Sequence, residues 1–248
     1  MKVRRMVLVD ELRGFAIICM VAYHLLYSLI FVYGIDLGPD ISQAMFVAQP
    51  FGAGLFIMIA GFSSCYSKSN FKRGIIILAF GLLITLFTTL IIPDQVIYFG
   101  ILHFLGISIL LYELIRGALR NVQPVILTII LVIIFFMTFN LQRGYLSFPF
   151  VESLRVPSGL YTSFLLAPFG LPSADFISSD YFPLFPWFAL FLIGTILGNF
   201  SMQKNCPEFC YVAHLPVLSK IGRYALPIYI LHQPVIIALL WVIIRLLN

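Results

Sequence analysis

The sequence predicts an all-α, polytopic integral membrane protein of about seven transmembrane helices, N-terminus inside and C-terminus outside. Three observations carry this reading. Of 248 residues, 61% are hydrophobic and 10% charged, against about 45–50% and about 25% in soluble domains. Runs such as IILAFGLLITLFTTLII and PVILTIILVIIFFMTF stay uncharged over the length that crosses a hydrocarbon core of about 30 Å at about 1.5 Å per residue. The basic residues gather at the ends of these runs, where they orient helices. A soluble domain and a disordered chain are excluded by hydrophobicity, and a β-barrel by the absence of alternating segments of about ten residues. The surplus of 15 Lys+Arg over 10 Asp+Glu is too dispersed for a nucleic-acid surface.

In chain order, MKVRRMVLVDELRGF opens a retained first helix, Leu12 to Phe31, because its apolar stretch is too long for a signal peptide and lacks an A-x-A-like cleavage site. Phe46 to Ser67 follows, with the small residues Gly52, Gly54, Ala60, Gly61, Ser63 and Ser64 suited to close helix packing. The next segments are Gly74 to Ile92, Tyr98 to Leu119, and Pro124 to Asn140, the last opening on a proline. About forty residues then lead to Tyr181, long enough to be functional or structured. Within them GLYTSFLLAPFGL is too short to span and is interrupted by Pro168 and Gly170, which favours a re-entrant or interfacial segment at 158–171. Phe182 to Phe200 and Gly222 to Leu246 complete the set, with a kink expected at Pro227. The whole of 1–248 reads as one transmembrane domain. No internal repeat is visible, which weighs against a transporter built on inverted repeats.

With the N-terminus inside, Lys2, Arg4, Arg5, Arg13, Lys68, Lys72, Arg73, Arg116, Arg120, Lys204, Lys220 and Arg223 fall on the inner side, and only Arg143, Arg155 and Arg245 outside. Four cysteines make no disulfide scaffold. Cys206, Cys210 and His214, at four-residue intervals, offer three ligands only, so no metal is expected.

The informative residues are ionisable groups at membrane depth, each costly unless it meets a partner or a cavity. His24 lies about 16 Å above Arg13 on the first helix, with Tyr27 and Ser28 on its face. His232 sits on the last helix with Gln233 beside it and Tyr229 on its face, and His103 lies near the outer end of the fourth. One such histidine alone has an ordinary role as an interhelical hydrogen-bond group. Three at compatible depths suggest a general base, oriented by a second histidine, a tyrosine or Asp180 at the outer mouth of the sixth helix. Arg13 enters the apolar segment just after Asp10, its expected N-cap, and a guanidinium there suits phosphates. Lys72, Arg73, Arg116 and Arg120 on the same side complete an anion funnel or meet lipid headgroups.

The arrangement VDELRGFAIICMVAYH, with Arg13 and His24 on a first helix, resembles the signature of the acyltransferase family three membrane O-acyltransferases. The chain as a whole is more similar to the heparan-α-glucosaminide N-acetyltransferase catalytic-domain family and its small bacterial members. GAGLFIMIAGFSS, GILHFLGIS, DYFPLFPWFALFLIGTILG and GRYALPIYILHQPV carry that resemblance, in order along the chain. It implies a transmembrane acyltransferase of the bacterial cytoplasmic membrane, using cytoplasmic acetyl-CoA or another acyl-CoA and a hydroxyl or amine acceptor on an extracytoplasmic carbohydrate or envelope glycolipid. Arg13 would then hold the donor's phosphates, and His24 would serve as general base or acyl carrier. His232 matches a histidine of the family's last helix, and the likeness also implies a homodimer. The family's lysosomal member has asparagine in place of His24, so that residue's role rests on the O-acyltransferase pattern. A small proton-coupled permease with a histidine relay is the competing class, and a non-catalytic partner in a polysaccharide pathway a third.

The charge distribution makes a direct prediction. Alkaline phosphatase fused after Asn248 will be active and a fluorescent protein fused there dark, and the N-terminal fusions will give the reverse.

Overall fold

The computed structural model describes residues 4–148, 151–203 and 206–247. Lys2 and Lys204, two of the cations assigned to the inner side, lie outside the described residues. Seven helices long and apolar enough to cross a membrane are present among those described. They are α1 (Val7–Tyr27), prolonged by a π-helical turn over Ser28–Val32, α2 (Pro39–Cys65), α3 (Asn70–Ile91), α4 (Ile101–Leu119), α5 (Pro124–Thr138), α6 (Leu184–Gln203) and α8 (Ala225–Leu247). A short helix, α7 (Pro216–Arg223), precedes α8. The protein is an all-α polytopic membrane protein, as the composition predicts.

Its contacts group into two compact units, Met1–Ile59 with Lys204–Asn248, and Ala60–Gln203. In the first unit α1 packs against α7 and α8. The contact with α7 is backbone on backbone. A Cβ on Gly14 would collide with the Leu218 carbonyl, and one on Gly222 with that of Asp10. Higher up, Gln233 Nε2 donates to Ser28 Oγ at 3.1 Å and Tyr33 Oη to the Ile237 carbonyl at 3.0 Å. Both numbers rise together along the two helices, so α1 and α8 run in the same direction, as first and seventh spans must.

The second unit is built on the pairs α3 with α4 and α5 with α6. Gly61, one of the small residues expected to allow close approach, abuts the Phe191 carbonyl, and Gly198 abuts that of Phe62. Phe104, Ile109 and Phe191 are fully buried in this unit.

Three local expectations are corrected. α1 starts at Val7 with Met6 as its N-cap residue, so Asp10 lies in the first turn rather than at the cap. α2 begins seven residues before the expected Phe46, because Pro39 is pre-organised for a first helical position and Asp40 favours the N-terminal dipole. The kink expected at Pro227 is a complete break. Arg223 ends α7, Tyr224 stands between, and Pro227 falls in the first turn of α8, since its ring excludes the carbonyl four residues earlier. The connection after α5 is structured by an antiparallel hairpin, β1 (Tyr145–Phe148) with β2 (Val151–Arg155), in which Tyr145 pairs with Arg155 and Leu146 with Leu154. Two 3-10 turns follow, Ser158–Leu160 and Phe164–Phe169, the second closed by Gly170 at φ 93°. Beside them Tyr181 donates to the Ala167 carbonyl at 2.6 Å, and burial pushes its phenol upward.

Gly61→Val will lower stability by about 1–3 kcal/mol, the usual cost of overpacking, seen as a fall in Tm of the detergent-solubilised protein. Gly117→Ala, whose Cβ meets nothing within 4 Å, will leave Tm unchanged or raise it slightly.

Candidate active site

The first unit carries a paired-imidazole site within its spans. His24 is seventeen residues into α1, about 25 Å from its start, and His232 is on α8. Their rings meet edge to face, centroids 4.7 Å apart at 71°. His24 Nδ1 lies 3.0 Å from the Met20 carbonyl, and His232 Nδ1 lies 2.5 Å from that of Tyr229. A carbonyl oxygen only accepts, so both neutral rings carry their proton on Nδ1 and their lone pair on Nε2. His232 Nε2 is buried with no hydrogen-bond partner among the described residues, and so is Gln233 Oε1. A base nitrogen held in one tautomer by main chain, and otherwise unengaged, is equipped to take a proton from a substrate.

The surroundings hold this geometry. Ser28, fully buried, accepts from Gln233 and ties the two helices just above the rings. The π-helical turn begins at Ser28, the Tyr33 amide donating to its carbonyl at 3.0 Å. Such turns often accompany functional sites. Tyr23 and Tyr229 flank the rings, with centroids 5.3 Å from His24 and 5.5 Å from His232.

Arg13 lies at the other end of α1 in an ionic knot. The buried Asp10 carboxylate takes Arg13 Nη1 at 2.9 Å, Arg5 Nε at 2.6 Å and Arg223 Nε at 3.9 Å. Glu11, also buried, accepts from the amides of His214 and Leu215 at 2.7 and 2.8 Å. Since Leu215 is the N-cap residue of α7, Glu11 supplies the acceptor and the negative charge that helix start needs. Beside this knot, Arg4 pairs with Glu208 and stands 4.5 Å over the Tyr211 ring. That hydrogen bond holds the Glu208 carboxyl below its ordinary range.

His103 and Asp180 belong to the second unit. His103 is buried, its Nε2 3.1 Å from Thr85 Oγ1. Thr85 gives its own proton to the Ile97 carbonyl at 2.6 Å, so His103 donates from Nε2, the reverse of the tautomer in the first unit. Its Nδ1 faces Gly81 on α3, where an added Cβ would lie 3.1 Å away. Asp180 Oδ2 accepts from the Ile101 amide at 3.0 Å and so caps α4 from outside its own helix. Of the inner cations in this unit, Arg116 pairs with Glu113 at 2.8 Å and Arg73 donates to Ser64 Oγ at 3.4 Å, whereas Lys72 and Arg120 are exposed. Asn70 joins Glu113 to the Ser64 carbonyl. Among the described residues no group of His, Cys, Asp and Glu could hold a metal ion.

Residue patterning did not single out Glu11 or Thr85. The acidic pair Asp10-Glu11 at the edge of an apolar run was the available signal for the first. Nothing in the spacing pointed to the second.

Fold and site together define a polytopic helical membrane protein with two imidazoles in contact inside its spans. The chain matches the family model described as heparan-alpha-glucosaminide N-acetyltransferase, catalytic, over residues 5–234, and belongs to that family. Its membership makes it a transferase of the membrane acetyltransferase type. His24, His232, His103, Asp180 and Arg13 all fall within the matched range. No curated protein and no solved structure gives a significant match.

Asp10→Asn will leave three guanidinium groups around a neutral amide and cost about 3 kcal/mol, the scale for removing one partner of a buried pair. The measurement is Tm in detergent. Glu11→Gln will cost about 1 kcal/mol, because the amide oxygen still accepts from α7.

Proposed function

We propose that the protein transfers an acyl group from a cytoplasmic acyl-CoA to a hydroxyl or amine on an extracytoplasmic carbohydrate or envelope glycolipid, across a bacterial cytoplasmic membrane, N-terminus inside. The observation that carries this reading is the His24–His232 contact, with both Nδ1 atoms engaged by main-chain carbonyls and His232 Nε2 buried and unpartnered. The family supports acetyl-CoA as donor and a carbohydrate as acceptor.

In the proposed reaction the acceptor oxygen or nitrogen attacks the thioester carbonyl as its proton passes to His232 Nε2. The tetrahedral species collapses with cleavage of the C–S bond. The proton then returns from His232 to the departing CoA thiolate, so the base is regenerated and the transfer is balanced. His24, in edge contact with His232, fixes the ring position and adds a second lone-pair nitrogen to the acceptor side. Arg13 and its neighbours Arg5 and Arg223 engage the donor phosphates, with Asp10 ordering the three guanidinium groups. Arg13 and His24 are eleven residues apart on one helix, about 16 Å, which separates phosphate binding from chemistry. His103 and Asp180 serve in this reading as positioning groups of the second unit, one linking α3 to α4 and one capping α4.

Protein reconstituted with labelled acetyl-CoA and envelope lipid extract will release CoA thiol and transfer label. His232→Ala will reduce the rate by about 10²–10⁴-fold, the usual share of general-base catalysis, and Arg13→Ala will raise KM for the donor. Counterflow of a sugar or ion without thioester cleavage contradicts the proposal and favours the permease reading.

A further inference from the structure

The connection between α5 and α6, in the second unit, carries an apolar surface that the proposed reaction does not use. From Val156 to Ala174 the chain has no charged residue. Within that stretch the 3-10 turn Phe164–Phe169 leaves Phe164, Leu165 and Phe169 exposed, Leu165 at 81%, and Ile177 follows at 73%. Side chains of this size are unfavourable in water.

The polar groups of the segment bond within the unit. The Leu165 amide donates to Ser163 Oγ at 3.2 Å, and the amides of Leu166, Gly170 and Leu171 donate to the carbonyls of Ser163, Ala167 and Leu166 at 3.1, 2.9 and 3.3 Å. Pro168 and Pro172 have no amide hydrogen. Two phenols are tied to carbonyls, Tyr161 to Leu141 at 2.5 Å and Tyr181 to Ala167 at 2.6 Å. Lipid offers no partner to an amide, so a segment that meets it must satisfy its own main chain. Irregular backbone does not face the hydrocarbon centre, which leaves the boundary region for these turns.

The turn between α3 and α4 places the segment at that boundary. The Ser179 and Phe182 amides donate to the Val96 and Phe99 carbonyls, both at 2.9 Å, and the Phe164 ring meets that of Tyr98 edge to face, centroids 5.1 Å apart. The turn lies between Ile91, the last residue of α3, and Ile101, the first of α4, and so at the membrane face where those two spans end. α3 exposes Leu90 and Ile91 up to that point, and its lipid-facing surface leads towards the segment. From Tyr98 the rings continue through Phe164 to Phe176 at 5.4 Å and Tyr181 at 4.9 Å. Aromatic residues gather at this depth in membrane proteins.

We infer that residues 158–171, with Ile177, lie flat in the headgroup and upper acyl-chain region of the lipid at this face, an interfacial anchor rather than a re-entrant loop. Lipid is the occupant because the surface adjoins the ends of the spans and carries no charge with which a protein partner would pair. The anchor stands whether or not the protein transfers an acyl group.

The test is photo-crosslinking of the full-length protein in liposomes of phosphatidylcholine and phosphatidylglycerol, read by intact mass. Leu165→p-benzoylphenylalanine is the probe, at a position exposed enough to accept the ring with Tm unchanged. Leu90→p-benzoylphenylalanine on α3 is the lipid-facing reference and Asp175→p-benzoylphenylalanine, at an exposed position past the uncharged stretch, the water-facing one. The expected result is a phospholipid adduct from Leu165 in a yield comparable with that from Leu90, lost at Asp175, with the new bond on the upper half of the acyl chain. Absence of a lipid adduct from Leu165 overturns the anchor. Crosslinks from Leu165 to another protein chain overturn it in favour of a second copy, and bonds confined to the methyl end of the acyl chain overturn it in favour of a re-entrant segment.

Discussion

Hydrocarbon offers no partner to a polar group, and the architecture of this protein follows from that constraint. An unpaired amide or hydroxyl in such a medium costs several kcal/mol, so each polar side chain within a span must be joined to another or placed where a substrate will meet it. Asp10 gathers three arginines, Glu11 closes the start of α7, and Thr85 stands between His103 and the Ile97 carbonyl. These bonds lie within the fold, although His103 Nδ1 is itself buried with no hydrogen-bond partner among the described residues. His232 Nε2 and Gln233 Oε1 are the atoms near the imidazole pair left over, and the same constraint makes them informative.

The two kinds of histidine show how main chain decides chemistry. His103 donates to a threonine that is itself committed to a carbonyl, so its lone pair is directed at the backbone of α3 near Gly81. In the first unit the Met20 and Tyr229 carbonyls take the Nδ1 protons and leave the lone pair on Nε2. The fold thus engages Nε2 in His103 and Nδ1 in His24 and His232, so the same residue type is held in opposite tautomers in the two units. Rigidity around the pair comes from the Ser28–Gln233 bond and from the backbone contact of Gly14 and Gly222, both on the helices that carry the rings or the arginine cluster.

Much of this was legible from residue patterning. Seven apolar runs gave seven spans because length and the absence of charge are dictated by the bilayer. His24, His232, Ser28 and Gln233 were visible as expensive residues at related depths, and the structure brings those four together. Helix ends were less legible. α2 begins early because Pro39 and Asp40 are good initiators although neither is apolar, and the last apolar segment is divided because Pro227 acts on the turn before it. The hairpin at Tyr145–Arg155 was hidden by its few residues. Asp180 was visible as an acid at a helix mouth, but only the fold reveals that it accepts from the start of α4. A carboxylate reaching across seventy-nine residues leaves no local pattern.

The central claim is that the fold fixes the tautomer of His232 so that Nε2 carries an available lone pair. Nitrogen-15 solid-state NMR of histidine-labelled protein in liposomes at neutral pH, with His232→Gln used to assign the resonance, reads this directly. The account predicts a protonated Nδ1 and an unprotonated Nε2 at His232. A protonated Nε2 with the lone pair on Nδ1 would contradict it, because the nitrogen facing the Tyr229 carbonyl would then have no proton to give.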